Sequence, residues 1–430
     1  MCGSTGLDDE HKRGSMWFTQ SKPAVLRPGE IARVLGNPKF PRMPESEALL
    51  VDAPEDHEEE SGLPTAVLVR PELQKLLVVQ VNKMTTAPNS RPPSAVEVNV
   101  PTPLHLVPLP LQREKYAQGD KNQERDAGRS SAPTVTVLVW WYPFGKKTEI
   151  KNCAALHVHG CHLTTDRRLF VRSQAVVIHH RDLERNPQQL PSGRRPIAQE
   201  WVWMNFESPS HSSRLEKLNG IFNWTMTYKR DSDIFVPYGY LYPRETGDRR
   251  IVLPKKTKLV AWVISNWNEN HARVKYYHQL KNYMNIDVYG KSGLDLKNDN
   301  VVLTVLPYKF YLAFENSQHV DYITEKLWRN SFLSSAVPVV LGPSRANYEQ
   351  HIPAGSFIHV NDFSSPRKLA EYLMYLDEDE GSYKKYFEWK RHYKVHLTKF
   401  WEEQFCKVCK AVQSSRGQYK TISNLDSWFR

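Results

Sequence analysis

The chain has no long hydrophobic run. In its N-terminal part the apolar stretches are short, such as Leu76 to Val79, held between Lys75 and Gln80, far short of the ~20 residues a membrane span needs. Met1 leads into a polar segment with Asp8, Asp9 and Glu10 rather than into a signal-peptide core. On these grounds alone the expectation is a soluble, cytosolic protein. There is no G-x-G-x-x-G and no Walker-type loop, which disfavours dinucleotide and kinase chemistry. C₂H₂ spacing, RNP-like segments and arginine-rich blocks are absent too, so no nucleic-acid partner is expected. Cysteine is scarce, with five in 430 residues.

What is present describes a globular enzyme-sized chain. The length suits two or three domains, and 40% hydrophobic with 11% aromatic residues suits a packed core. The 58 basic against 47 acidic residues give a net charge of +11, suited to an anionic ligand or simply to a solvated basic surface. Residues 1–130 differ from the rest. They hold an acidic patch (Glu55, Asp56, Glu58, Glu59, Glu60) and a proline-rich stretch from Pro101 to Pro110. The expectation there is a largely disordered extension or stem, with a short element at Leu73 to Val81. From Thr134 onward apolar strands alternate with helical patterns: strands at Ala175 to His179, Glu200 to Asn205, Lys258 to Ile264, Tyr308 to Glu315 and Val337 to Leu341, and a helix at Ala272 to Leu280. This alternation predicts α/β architecture with two Rossmann-like domains facing a cleft. The halves are residues 131–250 and 251–405, followed by a C-terminal segment, 406–430.

Several constellations could carry chemistry. Tyr308 to Asn330 reads as a buried strand, a polar loop at Glu315, Asn316 and Ser317, and a helix with Thr324 as its N-cap. Strand end, loop and helix start form the place where open α/β sheets bind ligands. Lys326 adds a positive charge there and Glu325 a carboxylate suited to sugar hydroxyls. Ser265, Asn266 and Arg273 lie on a second strand–turn–helix, which is either a diphosphate cradle or a capped helix with a surface arginine. Glu207 stands just past a buried strand, as a general base or an ordinary loop carboxylate. Asp231 and Asp233 have the D-x-D form of a metal-chelating pair, although their place ahead of the donor-like half favours a structural role. Cys153 and Cys161 lie near the start of the folded part and Cys406 and Cys409 near its end. A Cys₄ zinc site and a C-x-x-C redox site fit the spacing less well than two long-range disulfides. Each would close a loop of about 250 residues and contribute ~5 kcal/mol in the entropic model. Such bonds point to an oxidising lumen, against the cytosolic reading. Asn223-Trp224-Thr225 is an N-glycosylation sequon.

The run F-E-N-S-x-x-x-D-Y-I-T-E-K resembles the donor signature of the α-1,3-fucosyltransferases, glycosyltransferase family 10. So do C-H-L-T-T-D (Cys161 to Asp166), H-H-R-D (His179 to Asp182), M-N-F-E-S-P-S-H (Met204 to His211), R-D-S-D-I-F-V-P-Y-G (Arg230 to Gly239) and V-P-V-V-L-G-P (Val337 to Pro343). Y-G-Y-L-Y-P-R and R-A-N-Y-E look most like the myeloid-type branch. The resemblance covers roughly Thr134 to Arg430. It implies a GT-B fold and an inverting transfer of fucose from GDP-fucose to O3 of GlcNAc, with N-acetyllactosamine-bearing glycoproteins and glycolipids as acceptors. Carried over by motif, Glu207 is the base, Arg273 and Lys326 hold the diphosphate, and Glu325 holds ribose hydroxyls. Tyr238, Val263, Ser265, Asn266, Tyr311, Asn316 and Tyr322 line the donor site. No metal or other cofactor is required, with manganese at most stimulatory. The implied disulfides are Cys153–Cys406 and Cys161–Cys409. Ala261 and Tyr308 stand where some relatives carry a third cysteine pair. The family is Golgi-anchored by an N-terminal helix that this sequence does not display, and a homodimer is left open. Two competing readings are a non-catalytic glycan- or nucleotide-binding protein and a metal-dependent transferase built on Asp231 and Asp233.

Overall fold

The computed structural model describes residues 134–147, 153–245, 250–415, 417 and 419–430. The expected N-terminal extension, residues 1–130, lies outside the described residues, and with it the short element at Leu73 to Val81. Two parallel sheets carry the rest. The first contains β1 (Val135–Val139), β2 (Cys161–Thr164), β3 (Ala175–His179), β4 (Glu200–Met204), β5 (Trp224–Thr227) and β6 (Ile234–Phe235), in the order β2-β1-β3-β4-β5-β6. The chain then forms β7 (Gly239–Pro243) and enters the second sheet. That sheet contains β8 (Lys258–Val263), β9 (Asp287–Tyr289), β10 (Tyr308–Phe314), β11 (Val337–Leu341) and β12 (Ile358–His359), in the order β12-β11-β10-β8-β9. Every pairing in both sheets is parallel. Strands such as AVVIH and VPVVL are buried along their whole length, as parallel strands covered on both faces must be.

The two sheets share one winding, although no repeat is visible in the sequence. In each, the second strand lies outside the first and the third continues on the other side. Strand order therefore reverses between β1 and β3, and again between β8 and β10. Open α/β sheets bind ligands at such switch points, beyond the carboxyl ends of the strands. Ser265 and Asn266 follow β8, and Glu315 and Asn316 follow β10, so the second switch point collects the expected donor residues. The backbone is tight there. Gly290, with φ +108°, comes so close that a Cβ would lie 2.3 Å from the Ile264 carbonyl oxygen, which only glycine tolerates.

Among the helices that position the rest are α1 (His180–Arg185), α2 (Ala272–Leu280), α3 (Lys326–Leu333), α4 (Pro366–Glu378), α5 (Glu402–Ser414) and α6 (Leu425–Phe429). α3 is a π-helix, a rare form found mostly at functional sites. It begins at Lys326, and Thr324 is not its N-cap. The Thr324 hydroxyl donates to the Glu315 carboxylate and accepts from Lys326 Nζ at 2.8 Å, so a charged donor takes the place of a helix N–H group. After α4, β13 (Tyr393–Leu397) pairs antiparallel with β7. α5 then returns to pack on the first sheet, and Cys406 and Cys409 bond to Cys153 and Cys161 respectively. An apolar cluster common to both halves contains Trp203, Tyr228, Tyr322, Trp328 and Phe429. Ala261 pairs with Tyr311 on β10, whereas Tyr308 pairs with Lys258. The two positions are thus offset along neighbouring strands, and a cysteine pair placed there would not meet in this register.

Candidate active site

Glu207 lies beyond the end of β4, 8% exposed. Its backbone N–H donates to Asn205 Oδ1 at 3.1 Å, while among the described residues nothing hydrogen-bonds its carboxylate. Burial pushes this carboxyl above its ordinary value; Arg181 and Lys326 pull it down, and Glu325 and Glu184 push it further up. Lys326 and Glu325 belong to the second half, so a carboxylate of the first sheet and the charges of the second share one electrostatic site. Tyr238 is buried, but its hydroxyl donates to the Phe206 carbonyl at 2.6 Å. It therefore braces the residue before Glu207.

On the other side, Lys326 is held at 3.0 Å from Glu315 Oε2, 2.8 Å from Thr324 Oγ1 and 3.2 Å from Glu325 Oε1. Burial alone would lower its pKa, and the two carboxylates outweigh that and raise it, so the ammonium stays charged. Glu325 is the more exposed of the two carboxylates, at 26% against 1% for the Glu315 side chain. A phosphate approaching Lys326 would therefore compete with Glu325 and leave the Glu315 pair intact. Removing one partner of such a buried pair strands the other charge. Lys326→Met is expected to lose about 3–5 kcal/mol of stability in chemical unfolding, and adding Glu315→Gln should return part of it. An unchanged unfolding midpoint for Lys326→Met would refute this account of the pair.

Arg273, on α2, is buried and donates from Nη2 to the Asn266 carbonyl at 2.6 Å. Its Nε has no hydrogen-bond partner, and neither has the Tyr322 hydroxyl, also fully buried. Such atoms are normally satisfied, and here both belong to the expected donor site. The Tyr228 hydroxyl is a third unpartnered group, with its ring 5.1 Å from that of Tyr322. Val263 ends β8 half-buried, Ser265 and Asn266 follow it, and Asn316 follows Glu315 at the end of β10.

Tyr311 is fully buried in β10, its hydroxyl accepts from Asn330 Nδ2 of α3 at 2.9 Å, and its ring lies within electrostatic reach of Lys326 and Glu325. The bond to Asn330 also lets Tyr311 support α3. Other expectations change. Asn223 is 8% exposed, not on an exposed loop. Its Oδ1 accepts from Trp201 N at 2.7 Å and its Nδ2 donates to the Lys420 carbonyl at 2.8 Å. A glycan on Asn223 would have to be added before this region folds and leave through the open groove lined by Arg195, Ile197, Tyr419 and Thr421. Asp233 accepts from the Thr225 amide at 2.9 Å and pairs with Lys420, while Asp231 accepts from Trp428 Nε1 at 2.9 Å. Both carboxylates thus tie the C-terminal segment to the first sheet. Sequence reasoning missed Glu315 as the anchor of Lys326 and Tyr228 as an unpartnered buried hydroxyl beside Tyr322. The signal for Glu315 was a carboxylate placed directly at the end of an apolar strand.

Residues 132–239 match the fucosyltransferase N-terminal family model, and residues 253–428 match glycosyltransferase family 10 (fucosyltransferase) C-term. Rat alpha-(1,3)-fucosyltransferase 4 is 48% identical over 343 residues, covering 69% of this chain and 79% of the rat protein. Mouse 4-galactosyl-N-acetylglucosaminide 3-alpha-L-fucosyltransferase 9 is 50% identical over 297 residues, covering 69% of this chain and 82% of the mouse protein. A crystal structure of an alpha1,3-fucosyltransferase with GDP-fucose aligns with a TM-score of 0.44 and 17% identity, over 68% of this chain and 94% of that one. The chain belongs to the family 10 fucosyltransferases.

Proposed function

We propose that the protein is an inverting α-1,3-fucosyltransferase that moves fucose from GDP-fucose to O3 of GlcNAc in N-acetyllactosamine glycans. The observation that carries this is the unpartnered, buried Arg273 Nε and Tyr322 hydroxyl at the site of Lys326, within electrostatic reach of a buried carboxylate of raised pKa on the other sheet. The first set suits a leaving diphosphate, and the carboxylate suits an attacking hydroxyl. In the reaction, Glu207 takes the O3 proton, O3 bonds to C1 of fucose from the face opposite the phosphate, and the C1–O bond breaks. Its electron pair goes to GDP, whose charge Lys326 and Arg273 stabilise, and Glu325 holds the ribose. Attack from the opposite face inverts the anomeric centre.

The cations of this scheme are side chains, and the D-x-D carboxylates are engaged elsewhere, so the reading needs no metal. The test is transfer of labelled fucose from GDP-fucose to N-acetyllactosamine, with and without a chelator. Transfer that survives chelation is expected. Loss of transfer on chelation would restore the metal-dependent reading, and GDP binding without any transfer would favour a binding protein. On this reading the protein works in the Golgi lumen, an oxidising compartment in which the two disulfides would persist. Among the described residues no helix is long and apolar enough to cross a membrane.

A further inference from the structure

The loop that carries the base touches the second half at three points. Ser317 Oγ donates to Ser208 Oγ at 2.6 Å, and Ser210 Oγ lies 2.7 Å from His319 Nε2. The His211 ring stands edge-on to that of His271, with centroids 6.2 Å apart. Ser208 is the residue after Glu207, and Ser317 is the residue after Asn316. The shortest of these contacts thus joins the immediate neighbour of the base to the immediate neighbour of a donor-site amide.

The pair belongs to a continuous chain of polar groups. Ser208 Oγ lies 2.9 Å from His211 Nδ1, and Ser317 Oγ lies 3.2 Å from Asn316 Oδ1. Burial, helped by the nearby His271, Arg181 and Arg273, lowers the pKa of His211, which leaves a neutral ring able to accept from Ser208. The base loop is also stiff in itself. Ser212 Oγ donates to the Ser208 carbonyl at 2.9 Å, Asn205 Nδ2 donates to Ser212 Oγ at 2.8 Å, and Asn205 Oδ1 holds the Glu207 amide. A displacement at Ser208 is therefore passed to Glu207 and not absorbed between them.

We propose that Ser208 and Ser317 form a positioning latch that clips the base-bearing loop to the donor-binding loop, so that Glu207 is aligned for proton removal only when the two halves are closed on each other. The inference rests on the transferase reading above. Neither hydroxyl touches a reacting atom in this scheme; both act through their neighbours. A misplacement of about 1 Å at a reacting group can slow chemistry roughly 10²-fold, so losing the latch should act on kcat.

The test measures kcat, both KM values and the Kd for GDP in wild type, Ser208→Ala, Ser317→Ala and the double variant. Expected is a loss in kcat of about tenfold or more for Ser208→Ala, with the Kd for GDP unchanged. The double variant should be no slower than the slower single, because residues in direct contact are non-additive. Ser317→Ala reads the latch from the other side should the fully buried Ser208 not tolerate alanine. Additive losses, an unchanged kcat in either single variant, or a fall in GDP affinity parallel to kcat would overturn the latch while leaving the transferase reading standing. No transfer by folded wild type would overturn both.

Discussion

Replacing Glu207 with glutamine should slow fucose transfer by ~10²–10⁴-fold, the range for loss of a general base, while GDP still binds. Glutamine preserves the shape of the side chain and its place beyond β4 but accepts no proton. The pH profile separates this from a folding defect. Because burial holds the Glu207 carboxyl above its ordinary value, the base is protonated and inactive at low pH. The rate should rise with pH as the carboxyl ionises, with its acid limb above the ~4.3 of a free glutamate. The residual rate of Glu207→Gln should lack that limb. Equal rates for the two proteins would end the base assignment.

The second large effect concerns stability, and the two disulfides should not contribute equally and independently. Cys153–Cys406 and Cys161–Cys409 span sequence separations of 253 and 248. Either bond alone closes a loop of that size, for about 5 kcal/mol in the chain-entropy model. With one in place, the other closes only the short ring from Cys153 to Cys161 and from Cys406 to Cys409, for about 3 kcal/mol. Cys409→Ser in an otherwise intact chain should therefore lose about 3 kcal/mol, whereas Cys406→Ser with Cys409→Ser should lose about 8. That is comparable with the whole stability of a folded protein. Chemical unfolding of both variants checks this. A double variant no less stable than the single one would show that the nested-loop account is wrong.

The parts of the fold legible in the sequence were those whose signal is local. β3 and β11 are uninterrupted apolar runs, and α2 follows a turn of polar residues, so their limits could be read directly. β2, with the sequence CHLT, is a half-exposed edge strand, too short and mixed to stand out. The β7–β13 pairing joins segments far apart in the chain, and nothing local announces it. The site followed the same division. The polar residues at the strand ends marked the switch point of the second sheet, because few other reasons place charge there. For Tyr311 the face of the strand could not be read locally, because a tyrosine in an apolar strand looks the same whether it faces a cleft or the underside of a helix. Thr324 misled because its partner, Glu315, was visible only once the strand and the loop were folded against each other. The Ser208–Ser317 contact is invisible for the same reason, as it exists only between the halves.

Phe429 has its ring 4.9 Å from that of Trp203 and 6.1 Å from that of Tyr228. Trp203 lies on β4, the strand that delivers Glu207, so α6 forms the back wall of the strand that aims the base. Trimming the chain from Leu425 onward would open a hole behind the catalytic strand, although in sequence those residues are far nearer to Lys326. Loss of activity on trimming from Leu425 onward would thus report on the first sheet and Glu207, not on the Lys326 side.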